Sequence, residues 1–237
     1  METLRITFEE KIERAKGVLS FRFSASEAFN YTAGSYGIFT IEKDSKRLPK
    51  VFTFSSAPAD KFIEFTTIMS GSDYKNALAG LQYGEDIELR GPMGKFSLDL
   101  AGDKTPVFLA GGIGITPFIS MISEAFKNDA LPETILFYAN RDIDRIVFRE
   151  ELETIERKSG KLCLINVISD NLPAEAKGTF ESGWIDGDVI KKYLDKKIET
   201  YHFYIVGPPT FNEAMEKVLL EMGVSLEEIS LEKFSGY

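Results

Sequence analysis

The chain of 237 residues changes its hydrophobic pattern near its middle. Up to Gly91, short segments with alternating apolar and polar residues are separated by turns. Strands that follow one another so closely favour an antiparallel all-β domain, either a barrel or a sandwich. The alternation is found in residues 4–13, 18–24, 36–42, 51–56, 62–69 and 86–91. The one helical candidate in this half covers residues 72–81.

From residue 105 onward, strand-like apolar segments alternate with segments whose apolar residues recur at helical spacing. The predicted strands are residues 105–110, 134–139, 161–169 and 202–207, and the predicted helices are residues 117–126, 147–158, 185–194 and 210–223. This alternation predicts a parallel sheet with helices on its faces. The predicted fold class is therefore a two-domain α+β protein, in which an antiparallel β-barrel domain (residues 1–100) precedes an α/β parallel-sheet domain (residues 101–237).

The segment FLAGGIGITPF joins the first predicted parallel strand to the helix that follows it. We expect Thr116 to be the N-cap of that helix and Pro117 its first residue. Glycines in such a turn (Gly111, Gly112 and Gly114) let an anion approach the unpaired N–H groups of a helix start. The turn therefore predicts a diphosphate site. The dinucleotide fingerprint is met only in part, because its third glycine is replaced by proline, and a purely structural turn is the alternative.

Ligands of a parallel α/β sheet bind beyond the carboxyl ends of its strands. After the glycine turn, the other three predicted strands also end in polar or turn residues: Asn140 and Arg141, Ser169 and Asp170, and Gly207 and Pro208. We predict that these residues bind a nucleotide. Ordinary loop residues are the alternative at each position taken separately.

Composition narrows the function classes. The net charge of −9 argues against nucleic-acid binding, which needs a basic face. The single cysteine, Cys163, excludes a disulfide within the chain and a thiol cluster for zinc or iron–sulfur, so we expect no metal site and a buried Cys163. No apolar run approaches the ~20 residues of a membrane span, and the N-terminus lacks the apolar region of a signal peptide. We therefore expect a cytoplasmic protein that is not an integral membrane protein.

Five short stretches occur in order along the chain: Lys50 to Thr53 (KVFT), GPMGKF, AGGIGITP, YIVGP and EKF. They resemble, in the same order, five signatures of the ferredoxin-NADP reductase superfamily. These are the flavin motif R-x-Y-[ST] and the motifs G-P-x-G-x-F, A-G-G-x-G-x-[TS]-P, Y-x-x-G-P and E-x-F. The resemblance spans about residues 31–237. It implies an FAD-binding barrel domain followed by an NAD-binding domain.

The resemblance also implies roles for the flavin-side residues. Phe52 would lie against the flavin ring, and the Thr53 hydroxyl would bond to flavin N5. Lys50 stands where the family has arginine, which keeps the charge but loses the bidentate fork. Val51 and Ile68 are the other residues predicted to contact the flavin. Plain alternation of strand residues is the alternative for Phe52 and Thr53.

The helix at residues 72–81 would place a second anion site beside the flavin. Its opening residues, Ser72, Tyr74, Lys75 and Asn76, are the candidates. This second site favours FAD over FMN as the cofactor. A capped surface helix with no ligand is the alternative.

By the same resemblance, the catalytic residues would be Thr53, Thr116, Glu232 and Phe234. Phe234 and Tyr237 are both candidates to cover the flavin until nicotinamide displaces them. Val206 stands where the family often has cysteine, so hydride transfer would depend on positioning by Thr116.

NADH is the expected nucleotide, with NADPH less favoured. Members that prefer NADP usually offer Ser-Arg after the third strand, whereas this chain has Ser169 and Asp170, and a carboxylate repels a 2′-phosphate. Arg141 or Lys177 could reverse that preference. The only histidine, His202, is expected to make a local hydrogen bond.

The function implied by the resemblance is a flavin-dependent oxidoreductase that transfers hydride from NADH to bound FAD. Electrons would then pass to a separate acceptor: a ferredoxin-like protein, an oxygenase component, or a small molecule such as free flavin, a ferric chelate or quinone. Two alternatives stay open. One is a non-catalytic flavin- and nucleotide-binding subunit that relays electrons or senses redox state in a larger complex, and the other is a nucleotide-binding protein without flavin.

Overall fold

The computed structural model describes residues 2–25, 29–170, 172–173, 176 and 180–233. The predictions for Lys177, Phe234 and Tyr237 lie outside these described residues.

The first half is a six-stranded antiparallel sheet. Its strands are β1 (Glu2–Ala15), β2 (Val18–Ala25), β3 (Tyr36–Lys43), β4 (Lys46–Thr53), β5 (Ile63–Ile68) and β6 (Asp86–Met93), in the spatial order β4-β3-β6-β1-β2-β5. The sheet curls until its two edges meet at a single antiparallel bridge between Phe54 and Phe65. The predicted antiparallel barrel is thus confirmed as a curled sheet.

Alternating strand residues fill the interior of this curled sheet. Phe21, Phe23, Phe39 and Phe65 are fully buried, and the Phe23 and Phe65 rings stack with centroids 5.8 Å apart. One short helix, α1 (Asp73–Ala79), follows β5 and covers one side of this aromatic core with Leu78. The aromatic core places α1 next to β4 and β5, where the first pocket described below is found.

The second half is a six-stranded parallel sheet with helices on both faces. The strands are β7 (Thr105–Gly111), β8 (Thr134–Asn140), β9 (Leu162–Ile168), β10 (Glu181–Ser182), β11 (Tyr201–Val206) and β12 (Ile229–Glu232), and the spatial order is β10-β9-β8-β7-β11-β12. The helices are α2 (Thr116–Lys127), α3 (Arg149–Ser159), α4 (Gly187–Tyr193) and α5 (Pro209–Glu221). The predicted α/β parallel-sheet half is confirmed, although the pattern missed the short edge strands β10 and β12.

Two local expectations are wrong. The glycine turn continues as a 3-10 helix (Gly112–Ile115) directly into α2, so α2 begins at Thr116, and Ile115 rather than Thr116 is its N-cap. Cys163 is exposed on β9, because alternate residues near the start of this strand point away from the core.

His202 makes the expected local hydrogen bond, with its Nε2 2.8 Å from Ser230 Oγ.

Hydrogen bonds and two cations connect the two halves. The Ser120 hydroxyl on α2 donates to the Ser56 carbonyl at 2.6 Å. Arg14 on β1 is held by the buried Glu64 of the same sheet at 3.0 Å and reaches Glu151 on α3 at 2.5 Å. Lys127 at the end of α2 pairs with Asp60 of the first half.

Among the described residues, no helix has the length and the apolar composition needed to cross a bilayer.

Candidate functional site: two adjoining pockets

The first pocket has a volume of about 250 Å³ and lies between the curled sheet and the glycine turn. Residues of β4 and β5, the start of α1 and the start of α2 form its walls: Val51, Phe52, Thr53, Thr66, Thr67, Ile68, Ser70, Lys75, Ile113 and Thr116. The structure therefore brings together several of the predicted flavin-side residues and Thr116.

The Thr53 hydroxyl is an unpaired polar atom in this pocket. Thr53 is only 4% exposed, and its Oγ1 has no hydrogen-bond partner among the described residues. A buried hydroxyl without a partner costs about 1–3 kcal/mol of desolvation. A ligand that exchanges a hydrogen bond with Thr53 Oγ1 would remove this cost.

Lys75 places a buried ammonium in the same pocket. The residue is 7% exposed, its Nζ donates to Thr67 Oγ1, and the ammonium lies 4.6 Å from the centre of the Phe52 ring. Burial, and to a smaller extent the charge of Lys50, lowers the pKa of Lys75 to about 8. No carboxylate among the described residues contributes to this shift. An anionic or strongly polar ligand would therefore supply a counter-charge for the ammonium.

The Phe52 ring forms one side of this pocket. It stacks on Phe65 with centroids 4.3 Å apart and an interplanar angle of 5°. Tyr74 packs against Phe52 at 5.6 Å, and its buried hydroxyl has no partner among the described residues. Burial raises the pKa of the Tyr74 phenol. Phe52 is thus a rigid aromatic surface at the pocket wall.

Four predicted flavin-side residues do not line this pocket: Lys50, Ser72, Tyr74 and Asn76. Ser72 is the N-cap of α1, and its Oγ accepts from the Lys75 N–H at 3.4 Å. Asn76 donates from Nδ2 to the Gly71 carbonyl at 3.2 Å. Lys50 lies close enough to lower the pKa of Lys75 without forming part of the wall.

The second pocket is a cleft of about 550 Å³ along the carboxyl ends of the parallel strands. Of the residues predicted there, Gly111, Gly112, Asn140, Arg141, Ser169 and Pro208 line it. Asn140 is 7% exposed, and its Nδ2 has no partner among the described residues. A buried amide donor that faces a cleft is suited to a polar ligand.

Asp170 lies at the edge of this cleft. Its N–H donates to the Arg141 carbonyl at 2.8 Å, and the Ser169 N–H donates to the Asn140 carbonyl at 3.1 Å. These bonds extend the pairing of β8 and β9 beyond the strands. Asp170 is exposed and does not line the cleft, whereas Ser169 does.

The three glycines of the turn have different surroundings. Gly112 has φ +53, and a Cβ there would meet nothing within 4 Å, so it faces open space. A Cβ on Gly114 would lie 2.2 Å from the Val206 carbonyl oxygen, so Gly114 is required for packing against β11. Gly114, predicted as part of the diphosphate site, does not line the cleft.

Phe211 packs its ring over both Gly111 and Gly207. A Cβ at Gly111 would lie 2.9 Å from the ring, and one at Gly207 would lie 2.4 Å from it. Phe211 itself lines the cleft. The two glycines therefore allow an aromatic wall at the carboxyl ends of β7 and β11.

Glu232 ends β12 opposite Val206, beside the carboxyl end of β11. Its Oε2 is buried without a partner among the described residues, and burial raises the pKa of this carboxyl to about 7. Asn212 holds the backbone there by donating to the Glu232 carbonyl at 3.2 Å. Glu232 can therefore hold a proton near neutral pH, although it lines neither pocket.

The two pockets adjoin. Ile68 and Ile113 line both of them, one from the end of β5 and the other from the glycine turn. Ligands in the two pockets would therefore be neighbours at these two side chains.

Sequence reasoning missed Lys16, Trp184 and Phe211, which all line the second pocket. Trp184 is the only tryptophan of the chain and is 75% exposed. An exposed tryptophan just after a strand would have been a usable signal had the two-residue β10 been recognised. Lys16 had no comparable signal, since it lies in the other half of the chain.

Known proteins share both the sequence features and this fold. Residues 108–217 match the family model described as oxidoreductase NAD-binding domain. A ferredoxin NADP+ reductase from Neisseria gonorrhoeae, solved with bound FAD and NADP, superposes with a TM-score of 0.85 over 98% of both chains at 17% identity. The family match therefore covers residues 108–217, and the likeness to the Neisseria reductase shows that the whole chain has the same two-part fold.

Two curated relatives extend the comparison of sequences. The flavohemoprotein of Bacillus subtilis is 28% identical over 185 residues, which are 77% of this chain and 46% of that protein. The NADH-cytochrome b5 reductase 1 of Candida albicans is 31% identical over 147 residues, which are 62% of this chain and 49% of that protein. The chain thus spans less than half the length of each of these relatives.

Proposed function

We propose that this protein is an NAD(P)H-dependent flavoprotein reductase that passes electrons to a separate acceptor. The observation that carries the proposal is the contact of the two pockets at Ile68 and Ile113. One pocket offers an aromatic wall, an unpaired hydroxyl and a buried ammonium, and the other follows the carboxyl ends of a parallel sheet. Residues 1–100 would form the FAD-binding domain and residues 101–237 the NAD-binding domain.

The aromatic and polar walls of the first pocket suit a flavin. A flavin ring is flat and carries polar atoms along one edge, which suits Phe52 on one side and the unpaired Thr53 hydroxyl on another. When bound, a flavin accepts hydride from a reduced nicotinamide and releases the electrons to an acceptor. Lys75 would complement a negatively charged part of the cofactor, and FAD, the flavin bound in the Neisseria reductase, is the proposed form.

The second pocket would hold the dinucleotide along the strand ends. Gly112 leaves open space beside the turn, where a diphosphate can approach backbone N–H groups. Trp184 offers its exposed face to the base at the far end of the cleft, and Asn140 offers a free amide donor. Thr116, which faces the first pocket, would help to position the nicotinamide against the flavin.

Glu232 is the proposed proton-holding group of the site. Its raised pKa keeps part of the population protonated at neutral pH, the range in which an acid is most useful for catalysis. Glu232 pairs with Val206 at the carboxyl end of β11, the strand next to β7 and its glycine turn. Phe234, predicted to act with it, lies outside the described residues.

NADH is the proposed nucleotide. The support is Asp170, which the backbone holds at the shared carboxyl end of β8 and β9, where an adenine ribose would lie. A carboxylate there disfavours a 2′-phosphate. Arg141 is the opposing charge, because it lines the cleft itself.

The primary test is the absorption spectrum of the purified protein, followed by anaerobic addition of NADH. We expect a flavin spectrum that NADH bleaches within seconds, and steady turnover once ferric chelate or quinone is added. A colourless protein that cannot be loaded with FAD would contradict the flavin site. A flavin that dithionite reduces but NADH does not would favour the non-catalytic alternative.

Thr53→Val tests the first pocket directly. Valine keeps the shape and removes the unpaired hydroxyl, so the flavin-free protein should gain stability while FAD binding weakens. Thr66→Val, in the same pocket, is the matched control, because the Thr66 hydroxyl already has partners in Ser20 and Ser55. Unchanged FAD affinity in Thr53→Val would show that the hydroxyl does not face the cofactor.

A further inference from the structure

The hairpin between β1 and β2 brings a cation of the first sheet to the nucleotide cleft. Ala15 pairs with Val18, so Lys16 and Gly17 form a two-residue loop at the tip, and Gly17 has φ +75. Lys16 lines the second pocket. Of the residues of β1 and β2, only Val18 also lines it. Its place in the cleft is therefore a property of the hairpin tip.

The tip is anchored on both sides. Val18 is 9% exposed and belongs to the apolar core of the second half, where it joins Phe118. The Met69 N–H donates to the Gly17 carbonyl at 2.8 Å, which ties the tip to the end of β5. The backbone of Lys16 thus has a fixed position over the cleft, while its ammonium remains in solvent.

Charge makes this position suitable for a phosphate. Lys16, Arg141 and Arg145 line the cleft, and no aspartate or glutamate is among its described lining residues. The whole chain, in contrast, has a net charge of −9. Arg145 is already paired with Asp142 at 2.8 Å. A cationic cleft in an acidic protein attracts an anionic ligand.

The hairpin also determines which part of a dinucleotide Lys16 would meet. Val18 pairs with Ile68, which lines both pockets, so Lys16 belongs to the end of the cleft nearest the first pocket. Arg141 and Trp184 follow β8 and β10 and belong to the other end. A dinucleotide with its nicotinamide at the first pocket would therefore bring its nicotinamide-side phosphate to Lys16.

We propose, as an extension that rests on the proposed function, that Lys16 binds the nicotinamide-side phosphate of the dinucleotide. A residue of the first sheet then contributes directly to nucleotide affinity. Nucleotide binding also adds a bond between the two halves of the protein.

The test compares Lys16→Gln, Lys16→Arg and the control Lys161→Gln. Lys161 is an exposed lysine just before β9, at the amino end of the parallel strands, and does not line the cleft. Its replacement changes the net charge equally. Binding of NAD⁺, nicotinamide mononucleotide and AMP to the flavin-loaded protein is measured by titration calorimetry. Flavin content and melting temperature are recorded for every variant to verify folding.

We expect Lys16→Gln to weaken binding of NAD⁺ and nicotinamide mononucleotide by about five- to twentyfold, the range of one partly exposed charge-assisted contact. AMP binding should change less than about twofold, Lys16→Arg should restore most of the affinity, and Lys161→Gln should have no effect. The difference between parent and Lys16→Gln should shrink as salt is raised, because exposed charges are screened.

Equal losses for AMP and nicotinamide mononucleotide would overturn the assignment to the nicotinamide side. Unchanged NAD⁺ binding in Lys16→Gln, with a parent that binds NAD⁺, would overturn the inference and leave the proposed function intact. A parent that binds none of the three ligands would overturn both.

Discussion

The carboxyl of Glu232 makes a pH-dependent contribution to stability whose sign and size follow from its burial. Its ordinary pKa of 4.5 rises to about 7 in the folded protein, so folding favours the neutral form. The contribution is fully present below about pH 4.5 and is lost as pH rises through about 7. With 1.36 kcal/mol per pKa unit, the shift corresponds to about 3 kcal/mol between these limits.

Glu232→Gln removes this dependence, because glutamine keeps the shape but does not titrate. Unfolding of parent and variant by urea should be followed from pH 4.5 to pH 8. The unfolding free energy of the parent, relative to that of the variant, should fall by up to about 3 kcal/mol across this range. In thermal melts the same change should appear as roughly 2–4 °C per kcal/mol.

Glu228→Gln is the matched control in the preceding segment of the chain. Lys104 and His202 lower the pKa of Glu228, so its contribution has the opposite sign: it is present above the ordinary pKa and is lost as pH falls. Parallel pH profiles for the parent and Glu232→Gln would refute the reasoning. They would mean that the Glu232 carboxyl reaches water in solution.

Three further predictions concern the nucleotide turn, the nucleotide preference and the flavin. Gly114→Ala should destabilise the fold by about 1–3 kcal/mol in urea unfolding, because its Cβ would lie 2.2 Å from the Val206 oxygen. Gly112→Ala should instead lower the unfolding free energy by about 1–2 kcal/mol through its positive φ, and it should also weaken NAD⁺ binding in calorimetry. Equal effects of the two changes on NAD⁺ binding would contradict this distinction. Asp170→Arg should raise the ratio of NADPH to NADH kcat/KM by roughly tenfold or more at low salt, and an unchanged ratio would show that Asp170 does not face the ribose. Flavin released by heat and separated by chromatography should be FAD, so recovery of FMN alone would remove the predicted second anion site.

The sequence alone determined the two-part architecture, because strand and helix periodicities are local properties. Alternation in the first half and helical spacing in the second follow from which side chains must be buried on each element. The glycine turn was also readable, because a strand, a run of glycines and a helix follow one another directly in the sequence. The start of α2 could not be read from the sequence. The choice between an N-cap at Thr116 and a continuous 3-10 turn depends on the packing of Gly114 against Val206.

Only the tertiary structure decided which residues share a pocket. Lys16 and Arg141 are distant in sequence, and they line one cleft because the β1–β2 hairpin docks on the second sheet through Val18. The pKa of Glu232 is likewise raised because β12 joins the sheet beside β11 and this carboxyl is buried. The sequence pattern did not reveal β12, which has only four residues. Burial and proximity across the fold depend on long-range packing, and periodicity along the chain carries no information about them.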